Sequence, residues 1–185
     1  MKVSNKKTIL IVIAWSAGVL LLAALGWFLY FKAQFGVYQD AEYKFSIKYP
    51  KDWKVVVHPK KGVAVVFLRP KDTALDVLTE NFNVTVQPLP EGIFTLAEFS
   101  DRVKAQMISV FGSTVRFVEY KQLHWAWREG YRMSIEAPKP DNLKMVNAWV
   151  LSHGQSYILT FLGNINKYPQ DSLIVNEMID SLELQ

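Results

Sequence analysis

Hydrophobic residues are unevenly distributed along the chain, and the longest uncharged run lies near its start. Residues 8–31 read TILIVIAWSAGVLLLAALGWFLYF and contain no charged side chain. A helix of these 24 residues (31 − 8 + 1) would extend about 36 Å, which is enough to cross a hydrocarbon core of about 30 Å with some tilt. A buried helix of a globular domain would keep one polar stripe, whereas this run is apolar on every side. The pattern therefore predicts a transmembrane helix over residues 8–31.

The residues that flank this run indicate its orientation. Lys6 and Lys7 precede it, and Trp27, Tyr30 and Lys32 lie at its far end. Basic flanks stay in the cytoplasm and aromatic residues favour the membrane–water interface, so these five residues are predicted interface anchors. A cleaved signal peptide is the alternative, but its apolar core is usually about 7–15 residues long and ends at a small-x-small site. The longer run with its bulky exit favours an uncleaved signal anchor in the cytoplasmic membrane, with the C-terminal part extracytoplasmic.

The chain beyond the run has the composition of a globular domain. We expect a cytoplasmic tail (1–7), the anchor (8–31), a linker (32–42) and a globular domain (43–185). Within that domain, residues 43–49 and 81–87 alternate strictly and predict strands with one polar side.

Two apolar runs and two helix signals complete the pattern. Residues 145–151 and 157–162 are apolar on both faces and predict central strands joined by a hairpin. Thr95 followed by Glu98 is a capping box that predicts a helix start, and Pro169 predicts the start of a last helix. Strands joined by short turns pair antiparallel, and an apolar sheet needs cover. We therefore predict an α+β fold with an antiparallel β-sheet of about six strands flanked by helices.

Charge and cysteine content narrow the classes of function. The formal net charge is +4, from 21 basic and 17 acidic residues, but four of the lysines flank the predicted anchor. The remaining domain is therefore formally neutral, which argues against a nucleic-acid partner. The chain has no cysteine, so disulfides, thiol catalysis and cysteine-ligated metals are excluded.

Catalytic and metal-binding motifs are missing from the sequence. His58, His124 and His153 are far apart and show none of the spacings of a metal site. The carboxylates occur singly, without a pair suited to acid–base chemistry. The sequence therefore predicts no catalytic residue, no metal and no cofactor. An envelope enzyme of hydrolase type, with a site assembled from residues distant in sequence, stays the alternative.

The densest feature of the domain is an aromatic and basic cluster. It comprises His124, Trp125, Trp127, Arg128 and Tyr131. Tryptophan and arginine are enriched among interface anchors, and arginine stacks on aromatic rings. These five residues are therefore a candidate surface for a protein partner or a ligand. The alternative, which we favour, is that the two tryptophan rings pack beneath a helix.

Several short segments, taken in order, resemble the PsbP-like superfamily, which includes DcrB-like envelope domains. They are FSIKYPKDWKV (45–55), NFNVTV (81–86), GY (130–131), YILTF (157–161) and SLEL (181–184). The resemblance implies an α/β/α sandwich around an antiparallel sheet, and a role in binding or assembly rather than catalysis. We therefore expect a membrane-anchored, extracytoplasmic, non-catalytic binding or assembly module. A further alternative is an accessory subunit of a membrane complex.

Overall fold

The computed structural model describes residues 13–26, 34–72, 79–93, 95–112, 115–125, 128–138 and 142–185. It divides the chain into two units, Met1–Gly36 and Val37–Gln185. In chain order, the elements are α1 (13–26), β1 (Phe35–Asp40), β2 (Phe45–Pro50), β3 (Lys54–Lys60), β4 (Val63–Leu68), β5 (Asn81–Pro88), α2 (Leu96–Phe111), β6 (Arg116–Trp125), β7 (Arg128–Ala137), β8 (Leu143–Ser152), β9 (Gln155–Asn164), α3 (Tyr168–Asp180) and β10 (Glu183–Leu184).

The first unit contains α1, which covers 14 described residues (26 − 13 + 1), all of them exposed. Its large apolar side chains include Trp15 and Leu21, which are 75% and 71% exposed. Of the helices in the described ranges, none has both the length and the apolarity needed to cross a membrane. The predicted span, residues 8–31, extends beyond the described residues at both ends and stays a prediction.

The second unit is built on a seven-stranded antiparallel sheet in the order β3-β4-β5-β9-β8-β7-β6. The prediction that residues 145–151 and 157–162 form central strands joined by a hairpin is confirmed, because they lie in β8 and β9. Phe82, Val84 and Val86 of β5 are buried, as their alternation predicts. The α+β class with a large antiparallel sheet is therefore confirmed, with seven strands instead of about six.

A second, three-stranded sheet in the order β1-β2-β10 corrects two expectations. The first predicted strand, now β2, pairs with β10 at the end of the chain and so stands outside the main sheet. The predicted linker over residues 32–42 is wrong for residues 35–40, which form β1. The ring of Tyr38 explains this, since it packs 6.0 Å from Phe45 and 5.9 Å from Phe67 between ring centroids. A segment that inserts an aromatic side chain into the core does not behave as a linker.

Helix α2 begins as predicted. Thr95 accepts a hydrogen bond from the backbone N–H of Glu98, and the Glu98 carboxylate accepts one from the backbone N–H of Thr95. Gly112 ends the helix with a φ of 61°, a conformation that glycine adopts without a Cβ penalty. The buried cluster beneath α2 joins it to β7 and β8 and consists of Ile93, Phe99, Met133, Ile135 and Trp149.

Helix α3 covers the opposite face of the sheet. Neighbouring side chains along β8 point to opposite faces, so Trp149 lies on the α2 side and Val150 on the other. On that other side the ring of Phe161 packs 5.8 Å from Tyr168, at the start of α3. Val175, Met178 and Ile179 of α3 are fully buried. The two helices thus enclose the sheet from both sides, as the superfamily resemblance implies.

Candidate functional site

The aromatic and basic cluster falls at the hairpin between β6 and β7. Trp125 is the last residue of β6, and it pairs with Arg128, the first residue of β7. Paired residues share a face of the sheet, whereas His124 lies on the opposite face because side chains alternate. Arg128 therefore belongs to a strand and lies on the same face as Trp125.

Trp125 is fixed between the sheet and α3. Its ring lies over Gly130 of β7, where an added Cβ would overlap both the ring and the carbonyl oxygen of Trp149. Its indole N–H donates to the carbonyl oxygen of Ile179 at 2.8 Å, and the residue is only 9% exposed. The absence of a side chain at Gly130 thus creates the space that the indole occupies.

A cavity of about 200 Å³ opens beside this tryptophan. Its apolar lining consists of Trp125, Val150, Leu182 and Leu184. Its charged lining consists of Arg128, Asp180 and Glu183. The lining comes from three strands of the main sheet, the last residue of α3 and the segment that forms β10, so one pocket joins both sheets and a helix.

The three charged residues differ in their partners. Arg128 Nη1 donates to Ser152 Oγ at 2.6 Å, and Glu183 accepts from Ser46 Oγ at 3.3 Å. The Asp180 carboxylate makes no hydrogen bond or ion pair within the described part of the chain. Burial raises the pKa of Asp180, although the positive charge of Arg132 opposes this shift. Asp180 is exposed, and the positive charges of Arg132 and Lys121 act on it without a direct ion pair among the described residues.

The predicted surface is divided between the two faces of the sheet. Tyr131 packs on the α2 side in a group of rings, 5.4 Å from Tyr120 and 6.3 Å from Trp149 between centroids. His124 is exposed, and of the four described members of the predicted surface, two line the pocket, Trp125 and Arg128.

Six predicted positions have no structural account. Trp127 and the predicted interface anchors Lys6, Lys7, Trp27, Tyr30 and Lys32 lie outside the described residues. The sequence did not predict the acidic lining residues Asp180 and Glu183, or the space that Gly130 leaves for the indole. The only local signal for them is an aspartate at the end of a helix, where acidic residues are disfavoured.

A second polar cluster surrounds His58. Its Nε2 lies 3.0 Å from Asp40 Oδ2 and its Nδ1 lies 3.5 Å from Glu42 Oε2. Burial of Asp40 opposes its ionisation, but the backbone N–H of Tyr43 and the side chains of His58 and Tyr38 hold its pKa below the usual value. Because carboxylates face both ring nitrogens, His58 has no nitrogen left to activate a nucleophile. The cluster joins β1 to β3 and serves the fold.

A third cluster buries two carboxylates beside the start of α3. Arg69 Nε lies 3.2 Å from Asp171 Oδ1, and Lys167 Nζ lies 3.8 Å from Glu80 Oε1. Glu80 and Asp171 are each 2% exposed, and burial raises the pKa of Asp171. Two basic side chains already compensate the acids, which disfavours a bound cation. Across the described ranges, no group of three or more suitable side chains is arranged to hold a metal ion.

These features define a class: an α+β domain with a large antiparallel sheet, helices on both faces and a small mixed-charge pocket. The chain belongs to the PsbP family, whose model matches residues 33–184. A comparison with curated proteins gave no match.

Solved structures share the fold at low sequence identity. Cyanobacterial PsbP (CyanoP) from Synechocystis sp. PCC 6803 is 13% identical with a TM-score of 0.62, over 83% of this chain and 94% of that one. The Ran-binding protein Mog1p from Saccharomyces cerevisiae is 8% identical with a TM-score of 0.58, over 81% and 95%. LpqN, involved in cell envelope biogenesis of Mycobacterium tuberculosis, is 8% identical with a TM-score of 0.57, over 82% and 91%.

Proposed function

We propose that this chain is a membrane-anchored, extracytoplasmic, non-catalytic module that binds a protein partner in the cell envelope through the pocket beside Trp125. The proposal rests on the chemistry of the residues that line this pocket. Its apolar walls and charged lining resemble the centre of a binding interface, where buried tryptophan and arginine side chains contribute most of the affinity. Among the described residues that line it, there is neither histidine nor a serine, threonine or cysteine nucleophile, so its chemistry suits recognition.

Two relatives in fold support this class of function. Mog1p is a Ran-binding protein, and LpqN is involved in cell envelope biogenesis. The same architecture therefore accompanies protein binding in one case and an envelope role in the other. Fold alone does not transfer a partner, so the partner has to be identified on this chain.

The N-terminal segment supports membrane attachment. All 14 described residues of α1 are exposed, and they lie inside the uncharged run of residues 8–31. An exposed apolar helix requires lipid or a protein surface as cover. Lys6 and Lys7 before the run support a cytoplasmic N-terminus under the positive-inside rule.

Attachment is tested by expressing the full chain and Leu21→Arg in a bacterial host. Arginine at the centre of a membrane helix costs about 2.5–3.5 kcal/mol of insertion free energy. We expect the wild type and the control Leu21→Ala to stay with membranes after carbonate extraction and to be digested by protease added outside the cytoplasmic membrane. Leu21→Arg should be released in part. Extraction of the wild-type chain, or its digestion only after the cytoplasm is opened, would contradict the proposal.

Partner binding is tested by photocrosslinking in intact membranes. A photoreactive residue at position 184, beside the pocket, should form a discrete adduct with one protein identified by mass spectrometry. The same residue at position 173, where Leu173 is 66% exposed on α3, is the control and should not form that adduct. Equal labelling at both positions, or none at position 184, would refute the pocket as the binding site.

An accessory subunit of a membrane complex is the second candidate function, and the exposed apolar surface of α1 favours it. In that case α1 contacts other membrane helices. Native electrophoresis of detergent-solubilised membranes should then show the chain in a large complex, and substitution of the pocket residues should leave that complex intact.

A further inference from the structure

Helix α3 ends with two acidic residues at its negative pole. Its last turn contains Glu177 and Asp180 and no basic residue. The C-terminus of a helix carries a partial negative charge that favours cations and disfavours carboxylates. The chain compensates Glu177 with Lys48, whose Nζ lies 2.9 Å from the Glu177 carboxylate. Asp180, which lines the pocket, receives no such partner within the described residues.

The two basic residues whose charges act on Asp180, Arg132 and Lys121, are committed to other groups. Arg132 donates to Asn176 Oδ1 at 2.7 Å and to the Tyr168 hydroxyl at 3.2 Å. Lys121 Nζ lies 2.6 Å from Glu119 Oε1. Neither basic group therefore serves as the ion-pair partner of Asp180.

The pocket combines this carboxylate with a second acid and an aromatic wall. Glu183 joins Asp180, while Arg128 is held by Ser152, so the lining has two acids, one base and a formal net charge of −1. The Trp125 ring is fixed by its bond to Ile179, the residue before Asp180. An aromatic ring and carboxylates beside a helix C-terminus together favour a cation.

We infer that this pocket receives the side chain of a lysine or arginine from a protein partner, with the cationic end at Asp180 and the aliphatic stem against the apolar walls. The inference rests on the proposed binding function and names its chemistry. The stem of a basic side chain buries readily on apolar surface while its charged end stays with polar groups. A cavity of about 200 Å³ accommodates such a stem. The shorter aminoethyl group of a lipid headgroup would leave the apolar walls unfilled.

The test is an NMR titration of the full chain in detergent micelles, with the Trp125 indole N–H as the reporter. The probe is the capped tripeptide acetyl-Gly-Lys-Gly-amide, and the matched neutral probe carries Nε-acetyllysine. We expect a saturable shift with the lysine peptide and none with the acetylated one. Asp180→Asn should weaken the lysine peptide at least fivefold. Glu177→Gln, in the same helical turn, should leave its affinity within about twofold because Lys48 already compensates Glu177.

Each other outcome overturns the inference. Equal binding of the acetylated peptide would identify an apolar pocket without charge recognition. Binding of acetyl-Gly-Asp-Gly-amide in place of the lysine peptide would assign recognition to Arg128. Ethanolamine binding as well as the lysine peptide would point to a lipid headgroup. No shift with any probe at tens of millimolar would end the proposal.

The crosslinking experiment separates this inference from the proposed function. If an adduct at position 184 persists in Asp180→Asn, the partner binds without the cation, and only the inference fails. If no adduct forms in the wild-type chain, the proposed function fails as well.

Discussion

The two faces of the main sheet each hold a buried tryptophan, but in different surroundings. On the α2 face, Trp149 is fully buried and its indole N–H donates to Ser100 Oγ of α2 at 2.8 Å. On the α3 face, Trp125 is 9% exposed and donates to the Ile179 carbonyl of α3 at the same distance. The same bond to the covering helix thus occurs in a closed apolar cluster on one face and at the wall of a pocket on the other.

The two faces of the main sheet also differ in how many charged side chains they bury. The cluster beneath α2 is apolar, whereas the α3 face buries Lys144, Glu80 and Asp171. Buried ions are often replaceable by apolar residues without loss of stability. Where a protein keeps groups that stability does not require, function is the usual reason. The two faces thus differ in kind: the α2 face holds an apolar cluster, and the α3 face holds the buried charges and the pocket proposed for binding.

The largest expected effect comes from removing the tryptophan of the apolar face. Trp149→Ala should lower the free energy of unfolding by about 4 kcal/mol, because a large buried ring leaves a cavity. Trp125→Ala should lower it by a smaller amount, about 2 kcal/mol, because the vacated space joins an open pocket. Chemical denaturation followed by circular dichroism measures both. Equal losses would show that the two faces contribute alike to stability.

A smaller effect is expected from filling the space beneath the other tryptophan. Gly130→Ala should lower the free energy of unfolding by about 2 kcal/mol, a typical penalty for overpacking, and should shift the indole resonance of Trp125. The control is Gly26→Ala in α1, where nothing lies within 4 Å of an added Cβ. An unchanged Trp125 resonance in Gly130→Ala would show that the ring does not depend on this glycine.

The smallest effect is a pair of opposite pH dependences on the α3 face. Burial raises the pKa of Asp171, so its contribution to stability is present below about pH 4 and is lost as the pH rises through the folded pKa. Arg116, with Lys144, lowers the pKa of Glu136, so its contribution is present above about pH 4.3 and is lost as the pH falls through the folded pKa.

As the pH rises, Asp171→Asn should therefore gain stability relative to the wild type above about pH 4, and Glu136→Gln should lose stability relative to the wild type in the range up to about pH 4.3. Urea unfolding at several pH values measures both differences. If they move in the same direction, the surroundings of these two carboxylates are not as opposite as the structure indicates.

Local patterns in the sequence predict elements on both faces of the main sheet, namely α2 on one face and the buried residues of β5 on the other. The capping box of Thr95 and Glu98 and the buried alternation of Phe82, Val84 and Val86 depend only on neighbours within a few residues. The central position of β8 and β9 follows from runs that are apolar on both faces. In each case the structural cause lies within the segment itself.

The pocket could not be predicted in the same way. Its lining residues range from Trp125 to Leu184 along the chain. The residue pattern within any one segment does not predict that these distant residues lie close together. The pairing of β6 with β7 also decides which side chains lie together. Arg128 shares a face of the sheet with Trp125, whereas Tyr131 lies on the opposite face. Neighbouring side chains along a strand point to opposite faces of the sheet. The predicted cluster is therefore divided between the two faces.

The last turn of α3 is held from two sides. Lys48 of β2 pairs with Glu177 and donates its backbone N–H to Ser181 Oγ at 2.9 Å, while Trp125 holds Ile179. The pocket wall is thus preorganised, and an arriving side chain would lose its own rotational freedom without having to order the receptor. Discrimination among partners would then depend on shape and on slow release more than on induced folding.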